Sequence, residues 1–406
     1  MSTSLLYHAF GVRGYIYEAT EYQQGRILFR IRHNHKHLRC PVCNSRRVVR
    51  RGCVEREFRT VPIGGKPVVL RLGVQRVLCL ECGALRQVHL GFAEPRRSYT
   101  RSFERYVLAL SQRMTILDVS RHLGVSWDII KEIQKRYLTR RFSRPRLKDI
   151  QYLGIDEIAV RKGHKYLTVV LDMKSGAVVF VGDGKGAESL LPFWRCLRRS
   201  GAQVKAVAVD LSPAYTSAIM THLPEAAIVY DHFHVVKLFN DTLSNLRREI
   251  QRQAVTKEGK RAIKGIRWLL LKRSENLDET KNERQRLQTA LELNAPLATG
   301  YYLKEDLGQL WKQPNKGIAS RFLDGWIERA LSANIPLITT FARTLKRHRQ
   351  GILAYYDYRI TTGPLEGVNN KIKTLKRQAY GYRDIDFFKR MFPLGEPTKL
   401  FLDSVS

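Results

Sequence analysis

Three acidic residues stand where folding alone has little use for an acid, and they constrain this chain more than any other feature. The first, Asp156, lies in the apolar stretch 152–160, which predicts a buried β-strand. Because side chains alternate across a strand, either Asp156 or Glu157 must face the interior. An unpaired carboxylate there is costly or takes up a proton, so a cation is its natural partner.

The second acid, Asp210, ends another apolar strand, 204–210. Ser212 and Pro213 already provide the N-cap and the first position of the following helix, so Asp210 is not needed as a cap. The third, Glu366, opens a helix whose apolar spacing puts Leu365 and Val368 on one face. The other face is predicted to carry Glu366 with groups suited to phosphate: Asn369, Asn370, Lys373 and Arg377.

Each acid also has an ordinary structural interpretation. A glutamate in a first helical turn is favourable at any helix N-terminus, and strand-end aspartates often cap turns. Their joint order in the chain, strand Asp, strand Asp, helix Glu, favours a shared metal-dependent site. The surrounding charge points to nucleic acid, because 71 Lys and Arg oppose 37 acids, giving a net charge of +34 spread along the chain.

Composition also sets the expected compartment. No run of eighteen or more apolar residues occurs, and the first residues lack the apolar core of a signal peptide. We therefore expect an intracellular, cytoplasmic protein with no membrane partner. No Gly-x4-Gly-Lys-Ser/Thr motif is present, so no ATP cofactor is indicated.

Two C-x2-C pairs predict one structural Zn²⁺ site made by Cys40, Cys43, Cys79 and Cys82. The gap between the pairs is long, and the strand-like stretch 67–78 is suited to closing it. Alternatives remain open: Cys53 or one of His33, His35 and His37 could replace a ligand, or the cysteines could be reduced and metal-free. Arginines predicted to contact DNA crowd the first pair: Arg46, Arg47, Arg50 and Arg51.

Residues 115–136 predict a helix-turn-helix, with Gly124 at the turn and Ser126 as the N-cap of the second helix. A plain helical hairpin has the same periodicity. In the helix-turn-helix interpretation the second helix directs Trp127, Lys131 and Lys135 toward DNA. The stretch 140–148 follows as a basic linker.

Beyond the linker the pattern alternates between strands and helices. Strands are predicted at 151–160, 165–173, 177–182, 204–210 and 226–231, with helices at 187–199 and 213–222. This is the order of an α/β RNase H-like fold. Residues 241–350 are helical in pattern, with no convincing strand, and contain Trp268, Trp311 and Trp326. Those tryptophans are expected in the core unless one stacks on a base of the DNA.

From about Cys40 onward the sequence resembles the ISL-three family of bacterial insertion-sequence transposases. The resemblance is carried by five blocks of sequence: Gly154–Glu157, Lys162–Tyr166, Val209–Tyr215, Asp231–Lys237, and Leu365–Lys373 with Tyr380–Tyr382 beyond. It implies a zinc finger, a helix-turn-helix and a DDE catalytic domain with an RNase H-like fold. It further implies that Asp156, Asp210 and Glu366 are the DDE triad, holding two Mg²⁺ or Mn²⁺ ions for phosphodiester chemistry.

The resulting expectation is a multidomain protein: an α/β RNase H-like core interrupted by an all-α insertion and preceded by a small β-rich zinc module and a helix-turn-helix. The predicted segments are 1–36, N-terminal and β-rich; 37–92, zinc module; 93–148, helix-turn-helix and linker; 149–240, first part of the core; 241–350, insertion; and 351–406, the final part of the core with Glu366.

The expected function is transposition: binding of terminal inverted repeats, metal-dependent cleavage and strand transfer. Expected partners are double-stranded DNA, as element ends and target, and further copies of the chain assembled on it. Asp231 and His234 match an Asp-x-x-His signature of related transposases. They either brace the active site or merely begin a helix, with Asp231 as its N-cap. A host-adapted DNA-binding regulator, an RNase H-like nuclease and a zinc hydrolase are the alternatives.

Overall fold

The computed structural model describes residues 3–161, 165–254, 257–378, 384–392 and 394–395. Residues 162–164 of the block Lys162–Tyr166, and the stretch Tyr380–Tyr382, lie outside these residues. The chain forms two compact units. Of the described residues, 3–143 and 384–392 belong to the first unit, and those between 144 and 378, together with 394–395, belong to the second.

A five-stranded sheet organises the first unit. Its order is β1-β2-β4-β3, with β5 also paired to β4, and only the β2–β4 pair is parallel. The elements are α1, Thr3–Phe10; β1, Tyr15–Gln23; β2, Arg26–His33; β3, Val48–Ile63; β4, Lys66–Cys79; and β5, Leu85–Gln87. Because β2 pairs with β4, residues 1–36 share one sheet with the zinc module, and the predicted boundary at residue 36 divides that sheet.

The long β3–β4 hairpin explains the wide spacing of the two cysteine pairs. Its register places Val48 opposite Cys79 at one end and Ile63 opposite Lys66 at the other. The chain reverses at Gly64 and Gly65, both with positive φ, a conformation that glycine adopts at little cost. The second cysteine pair thereby returns beside the first, as the strand-like pattern of 67–78 predicts.

Three helices follow the sheet: α2, Arg101–Leu110; α3, Ile116–Leu123; and α4, Trp127–Phe142. Thr115 and Ser126 cap α3 and α4, each accepting a hydrogen bond from a first-turn amide. Gly124 takes the left-handed conformation (φ 60°) that ends α3 and begins the turn. The predicted helix-turn-helix is confirmed. A last helix, α14 (Ile385–Arg390), packs on α4.

The second unit is built on a mixed sheet of order β10-β9-β6-β7-β8. The predicted order of three strands followed by alternating helices and strands is confirmed. The β6–β7 and β7–β8 pairs are antiparallel, whereas β6–β9 and β9–β10 are parallel. Its elements are β6, Tyr152–Arg161; β7, Lys165–Asp172; β8, Val178–Asp183; α5, Leu191–Ser200; β9, Ala206–Val209; α6, Pro213–His222; and β10, Ala227–Tyr230.

Helices occupy the rest of this unit: α7, His232–Gln253; α8, Lys257–Gly265; α9, Glu283–Glu292; α10, Ala295–Leu307; α11, Lys316–Ser332; α12, Pro336–Leu353; and α13, Gly363–Gln378. The described residues of 241–350 contain no strand, as the sequence predicts. Within the described ranges, no helix combines the length and the apolar character needed to cross a membrane.

The helical part shares a core with the sheet. Trp326 is fully buried against Phe239 and Phe341, with ring centroids 5.5 Å and 5.9 Å away. Its indole N–H donates to the carbonyl of Leu303 at 2.9 Å. Trp326 is therefore a core residue, the ordinary interpretation of its position. Trp268 differs, because it is 65% exposed beneath the guanidinium of Arg267.

Two glycines let helices approach the sheet closely. A Cβ on Gly154 of β6 would lie 2.8 Å from Leu365 Cδ1 of α13. A Cβ on Gly351 of α12 would lie 2.5 Å from the buried ring of Tyr230 and 3.1 Å from the carbonyl of Ile228. The contact at Gly351 is the more rigid one, because it involves a ring and a backbone atom.

We predict that Gly351→Ala destabilises the protein by about 1–3 kcal/mol, because the added methyl group overpacks α12 against β10. Gly325 in α11 is the matched control, since a Cβ there has no neighbour within 4 Å. Gly325→Ala should hold or raise stability by up to about 1 kcal/mol through helix propensity. Chemical unfolding of both variants measures the difference, and equal effects would contradict the packing argument.

Candidate functional site

Asp156 lies within β6, two residues beyond the last β6 residue that pairs with β9, and Asp210 directly follows the end of β9. Gly154 of β6 is in register with Ala208 of β9, so Asp156 and Asp210, each two residues further on, are level. Asp231 follows Tyr230 of β10, which is in register with Val209. Carboxyl ends of parallel strands are a frequent place for functional sites in α/β sheets.

Burial makes the negative charge of Asp156 and Asp210 unfavourable. It raises the pKa of both carboxyls, and the negative charge of Asp156 raises the pKa of Asp210 further. Backbone amides oppose this, with Glu157 N donating to Asp156 Oδ1 at 2.7 Å and Ser212 N to Asp210 Oδ1 at 3.1 Å. A cation between them would relieve the cost of ionising both.

Glu366 lies in the first turn of α13 and is exposed. Its helix is anchored to the sheet by Leu365, Val368 and Ile372, which are buried as the spacing predicts. In the described ranges, the four zinc-module cysteines form the only group of three or more potential metal ligands whose atoms all lie within 4.8 Å. Glu366 lies on the helix that packs on β6, but it does not form a group of this kind with Asp156 and Asp210.

Asn369 differs from the expectation that it faces DNA. It is buried, and its Nδ2 donates to Asp156 Oδ2 at 2.6 Å. The reason lies in the helix geometry: four residues advance a helix by about 400°, which leaves Asn369 about 40° from Leu365, at the edge of the buried face. Asn370, Lys373 and Arg377 are exposed, in agreement with the pattern.

Glu157 occupies the opposite face of β6. Its Oε2 accepts a hydrogen bond of 3.3 Å from the buried hydroxyl of Tyr215 in α6. That hydroxyl also contacts Thr168 Oγ1 at 3.1 Å, which in turn is 2.7 Å from Ser189 Oγ. Glu157 therefore belongs to a network of hydroxyl groups on the other side of the sheet from Asp156.

Asp231 joins two distant parts of the chain. As N-cap of α7, its Oδ2 accepts from His234 N at 3.3 Å and lies 3.0 Å from His234 Nδ1. Its Oδ1 accepts from the amide of Thr362, just before α13, at 3.3 Å. Although burial raises the pKa of Asp231, these hydrogen bonds dominate and lower it to about 2.

His234 carries the electrostatic link to the first two acids. The hydrogen bond with Asp231 is the main reason that its pKa is raised, and the charges of Asp156 and Asp210 raise it further. The cap and brace interpretations of Asp231 are therefore compatible, because one carboxylate caps α7 and holds the imidazole beside the two strand acids.

The oxygen donors at this edge suit a hard divalent cation. Asp156 and Asp210 supply carboxylate oxygens, and a backbone amide holds one oxygen of each. The buried Asn369 Oδ1 has no hydrogen-bond partner among the described residues. An acceptor of this kind is costly unless a donor or a cation reaches it.

The four predicted zinc ligands come together in the first unit. Their Sγ atoms all lie within 4.8 Å of one another, with Cys40–Cys82 at 3.6 Å and Cys43–Cys79 at 3.5 Å. Tetrahedral Zn²⁺ with bonds of about 2.3 Å separates its sulfurs by roughly 3.8 Å, so the geometry fits. The other proposed ligand, Cys53, lies on β3 outside this group, and His33 is buried against Tyr15.

Both cysteine pairs adopt the same turn. Asn44 N donates to the carbonyl of Cys40 at 3.0 Å, and Gly83 N donates to that of Cys79 at 3.1 Å, with positive φ at Asn44 and Gly83. The backbone amide of Cys43 is the main cause lowering the pKa of Cys40 to about 7. Although the Ser45 amide favours the Cys43 thiolate, the neighbouring sulfurs raise the pKa of Cys43 to about 12. Four thiolates this close need a cation.

The predicted DNA-contacting side chains fall into two groups. One group is exposed and close in sequence to the first cysteine pair: Arg46, Arg47, Arg50 and Arg51. Trp127, at the start of α4, is also exposed. Lys131 and Lys135 are instead engaged by one carboxylate, with Nζ atoms 3.1 Å and 3.5 Å from Asp384 Oδ2. Sequence reasoning missed Asp384, because nothing in the local pattern links the N-cap of α14 to α4.

The comparisons with known proteins divide the chain into the same series of modules. Residues 37–82 match a zinc-finger of transposase IS204/IS1001/IS1096/IS1165, residues 88–138 match a helix-turn-helix domain of transposase family ISL3, and residues 153–392 match a family model described as transposase.

The chain is also similar to individual proteins along most of its length. The chain is 35% identical to the transposase for insertion sequence element IS1001 of Bordetella parapertussis, over 93% of this chain and 94% of that one. It is 28% identical to the transposase for insertion sequence element IS1557 of Mycobacterium tuberculosis, over 82% and 80% of the two chains. A Drosophila P element transposase strand transfer complex is similar with a TM-score of 0.41 and 12% identity, covering 76% of this chain and 94% of that chain.

The match over most of the catalytic half, together with 35% identity along nearly the whole chain, favours transposition over the regulator, nuclease and zinc-hydrolase alternatives. The chain belongs to transposase family ISL3, with its zinc finger, helix-turn-helix and transposase domain in that order.

Proposed function

We propose that this transposase binds the terminal inverted repeats of its insertion sequence and catalyses DNA cleavage and strand transfer with Asp156, Asp210 and Glu366. The observation that carries the proposal is the parallel register of β6 and β9, which sets Asp156 level with Asp210. The helix that carries Glu366 is bonded to the same site through Asn369 and Asp156.

Asp156, Asp210 and Glu366 are the residues proposed to hold two Mg²⁺ or Mn²⁺ ions. When bound, such ions polarise a phosphodiester and activate first water and then a DNA 3′-hydroxyl for in-line attack. The chain itself supplies orientation. Backbone amides fix one oxygen of each aspartate, and the Asn369 amide fixes the second oxygen of Asp156. Lys373 and Arg377, exposed on the same helix as Glu366, are proposed to hold phosphates of the DNA.

We assign a positioning role to Asp231 and His234. Their hydrogen bond brings a cationic or proton-donating imidazole toward Asp156 and Asp210, where it offsets part of the acids' mutual repulsion. Thr362 ties Asp231 to the start of α13. The pair would therefore keep the carboxylates in place between the cleavage and strand-transfer steps.

The DNA-reading parts are proposed to be the zinc module and the helix-turn-helix. Exposed arginines beside the zinc cluster and Trp127 on α4 suit contact with double-stranded DNA of the element ends. We further propose that the protein works as a dimer or larger assembly on DNA. Its place of action would be the bacterial cytoplasm, in association with the nucleoid where its DNA substrate lies.

The assignment of the triad leads to the first functional prediction. Asp156→Asn, Asp210→Asn and Glu366→Gln should each reduce divalent-dependent cleavage of a labelled element end by more than about a hundredfold. Losing a metal ligand should cost more than an outer-shell change, which is worth about 10- to 100-fold. Binding to the end should hold or tighten, since each change removes negative charge facing the phosphates.

Glu157→Gln is the matched control. It removes one charge next to Asp156 but on the opposite face of β6, where the amide oxygen can still accept from Tyr215. It should retain substantial cleavage. Equal loss in this variant, or full cleavage by any triad variant, would contradict the assignment.

The second functional prediction concerns zinc. Cys43→Ser should lose the metal and the end-specific footprint, because the cation holds two turns whose thiolates otherwise repel. Binding should fall toward the non-specific, salt-sensitive level, typically about a thousandfold or more weaker. Cys53→Ser, an exposed cysteine outside the cluster, should keep both zinc and footprint. A normal footprint from zinc-free Cys43→Ser protein would overturn the proposed role.

The third functional prediction concerns α4. If Lys131 and Lys135 contact phosphates, Asp384 competes with DNA for them. Asp384→Asn should then raise end affinity about two- to fivefold at low salt, the equivalent of an exposed ion pair. The matched control is Asp386→Asn in the same helix, where the carboxylate pairs with Lys389 at 3.3 Å. Unchanged affinity for Asp384→Asn, or the same gain in both variants, would argue against lysine contacts.

A further inference from the structure

Asn369 is the polar side chain most closely tied to the proposed active site. It is 6% exposed and lies one turn beyond Glu366 on α13. Its Nδ2 donates to Asp156 Oδ2 at 2.6 Å, while Glu157 N donates to Asp156 Oδ1 at 2.7 Å. Both oxygens of Asp156 are therefore fixed by neutral donors on two different elements.

The type of donor matters for a metal site. A lysine or arginine at this position would orient Asp156 but also neutralise it, and so would compete with a cation. An amide orients the carboxylate and leaves its full negative charge. A carboxylate offers about four lone-pair positions, so two hydrogen bonds leave about two for metal ions.

The other end of the Asn369 amide is also informative. Its Oδ1 is buried and has no hydrogen-bond partner within the described part of the chain. A buried acceptor without a donor costs about 1–3 kcal/mol. The position of this oxygen is therefore explained if it binds a water or a cation in the loaded active site. Amide oxygens accept from water held by hard cations and also ligate such cations directly.

We infer that Asn369 is a positioning residue of the active site: its Nδ2 presets Asp156 for the metal ions, and its Oδ1 receives a metal-bound water or the ion itself. The inference rests on the proposed function and deepens it. Since Asn369 and Glu366 share a helix, the same hydrogen bond also fixes the distance between the Glu366 helix and Asp156. One amide thus links two members of the proposed triad.

The test uses Mn²⁺ binding to the full-length protein without DNA, measured by calorimetry. Asn369→Leu keeps the number and branching of the side-chain heavy atoms and removes both polar ends. It should bind Mn²⁺ about tenfold or more weakly, the usual effect of losing an outer-shell partner. Its unfolding midpoint without metal should change little, because the variant removes a buried unpaired acceptor and also the hydrogen bond to Asp156, two effects of opposite sign. Asn370→Ala, the exposed neighbouring amide, is the matched control and should bind Mn²⁺ as the unaltered chain does.

Asn369→Asp separates orientation from charge. This variant adds a carboxylate beside Asp156 and removes the Nδ2 donor. Its affinity for Mn²⁺ should fall less than that of Asn369→Leu, whereas its cleavage of an element end should be more than tenfold slower than that of the unaltered chain. End binding without divalent metal should be unchanged in Asn369→Leu, which leaves the charge of the site as it is. A loss of that DNA binding in Asn369→Leu would make Asn369 a phosphate contact instead and would overturn the inference.

The remaining outcomes distinguish this inference from the proposed function. Mn²⁺ binding that depends on Asp156 but is unaffected by Asn369→Leu would overturn the positioning role alone. Mn²⁺ binding that is the same in the unaltered chain and in Asp156→Asn would instead overturn the proposed metal site itself. Weaker Mn²⁺ binding by Asn369→Leu with preserved folding supports both.

Discussion

The parallel pairing of β6 with β9 is the interaction on which the proposed active site depends. It sets Asp156 of β6 level with Asp210 at the end of β9, where burial raises the pKa of each and the charge of Asp156 raises the pKa of Asp210 further. Such a pair is unfavourable as a structural element alone. A bound cation would favour the ionised form of both carboxyls. Relief of their unfavourable charge would therefore contribute to the free energy of metal binding.

The helix that carries Glu366 is held at this edge by contacts outside the sheet. The described residues between Asp231 and Thr362 are helical or irregular. The hydrogen bond from the Thr362 amide to Asp231 joins the two ends of this segment. The helix after Thr362 then lies across β6, where Gly154 leaves room for Leu365. The helical insertion is thus accommodated with α13 still packed on β6.

Much of this was predictable because local rules govern it. Apolar runs identified β6 and β9, cap and turn residues identified α3 and α4, and the C-x2-C pairs identified four cysteines whose sulfurs meet. Two features were not predictable in the same way. Asn369 sits at the edge of the buried face of α13, where periodicity leaves its direction open. Asp384 meets Lys131 and Lys135 across about 250 residues of chain, a pairing that no local pattern encodes.

The most direct test of the account is to locate the metal. Crystals of the protein with an element end should be soaked in Mn²⁺, and anomalous difference density should be measured for the unaltered chain and for Asp156→Asn. The account predicts density beside Asp156, Asp210 and Glu366, with Asn369 Oδ1 facing an ion or its water, and its loss in Asp156→Asn. Density at another site, or density beside Asp210 that persists without the Asp156 carboxylate, would contradict it.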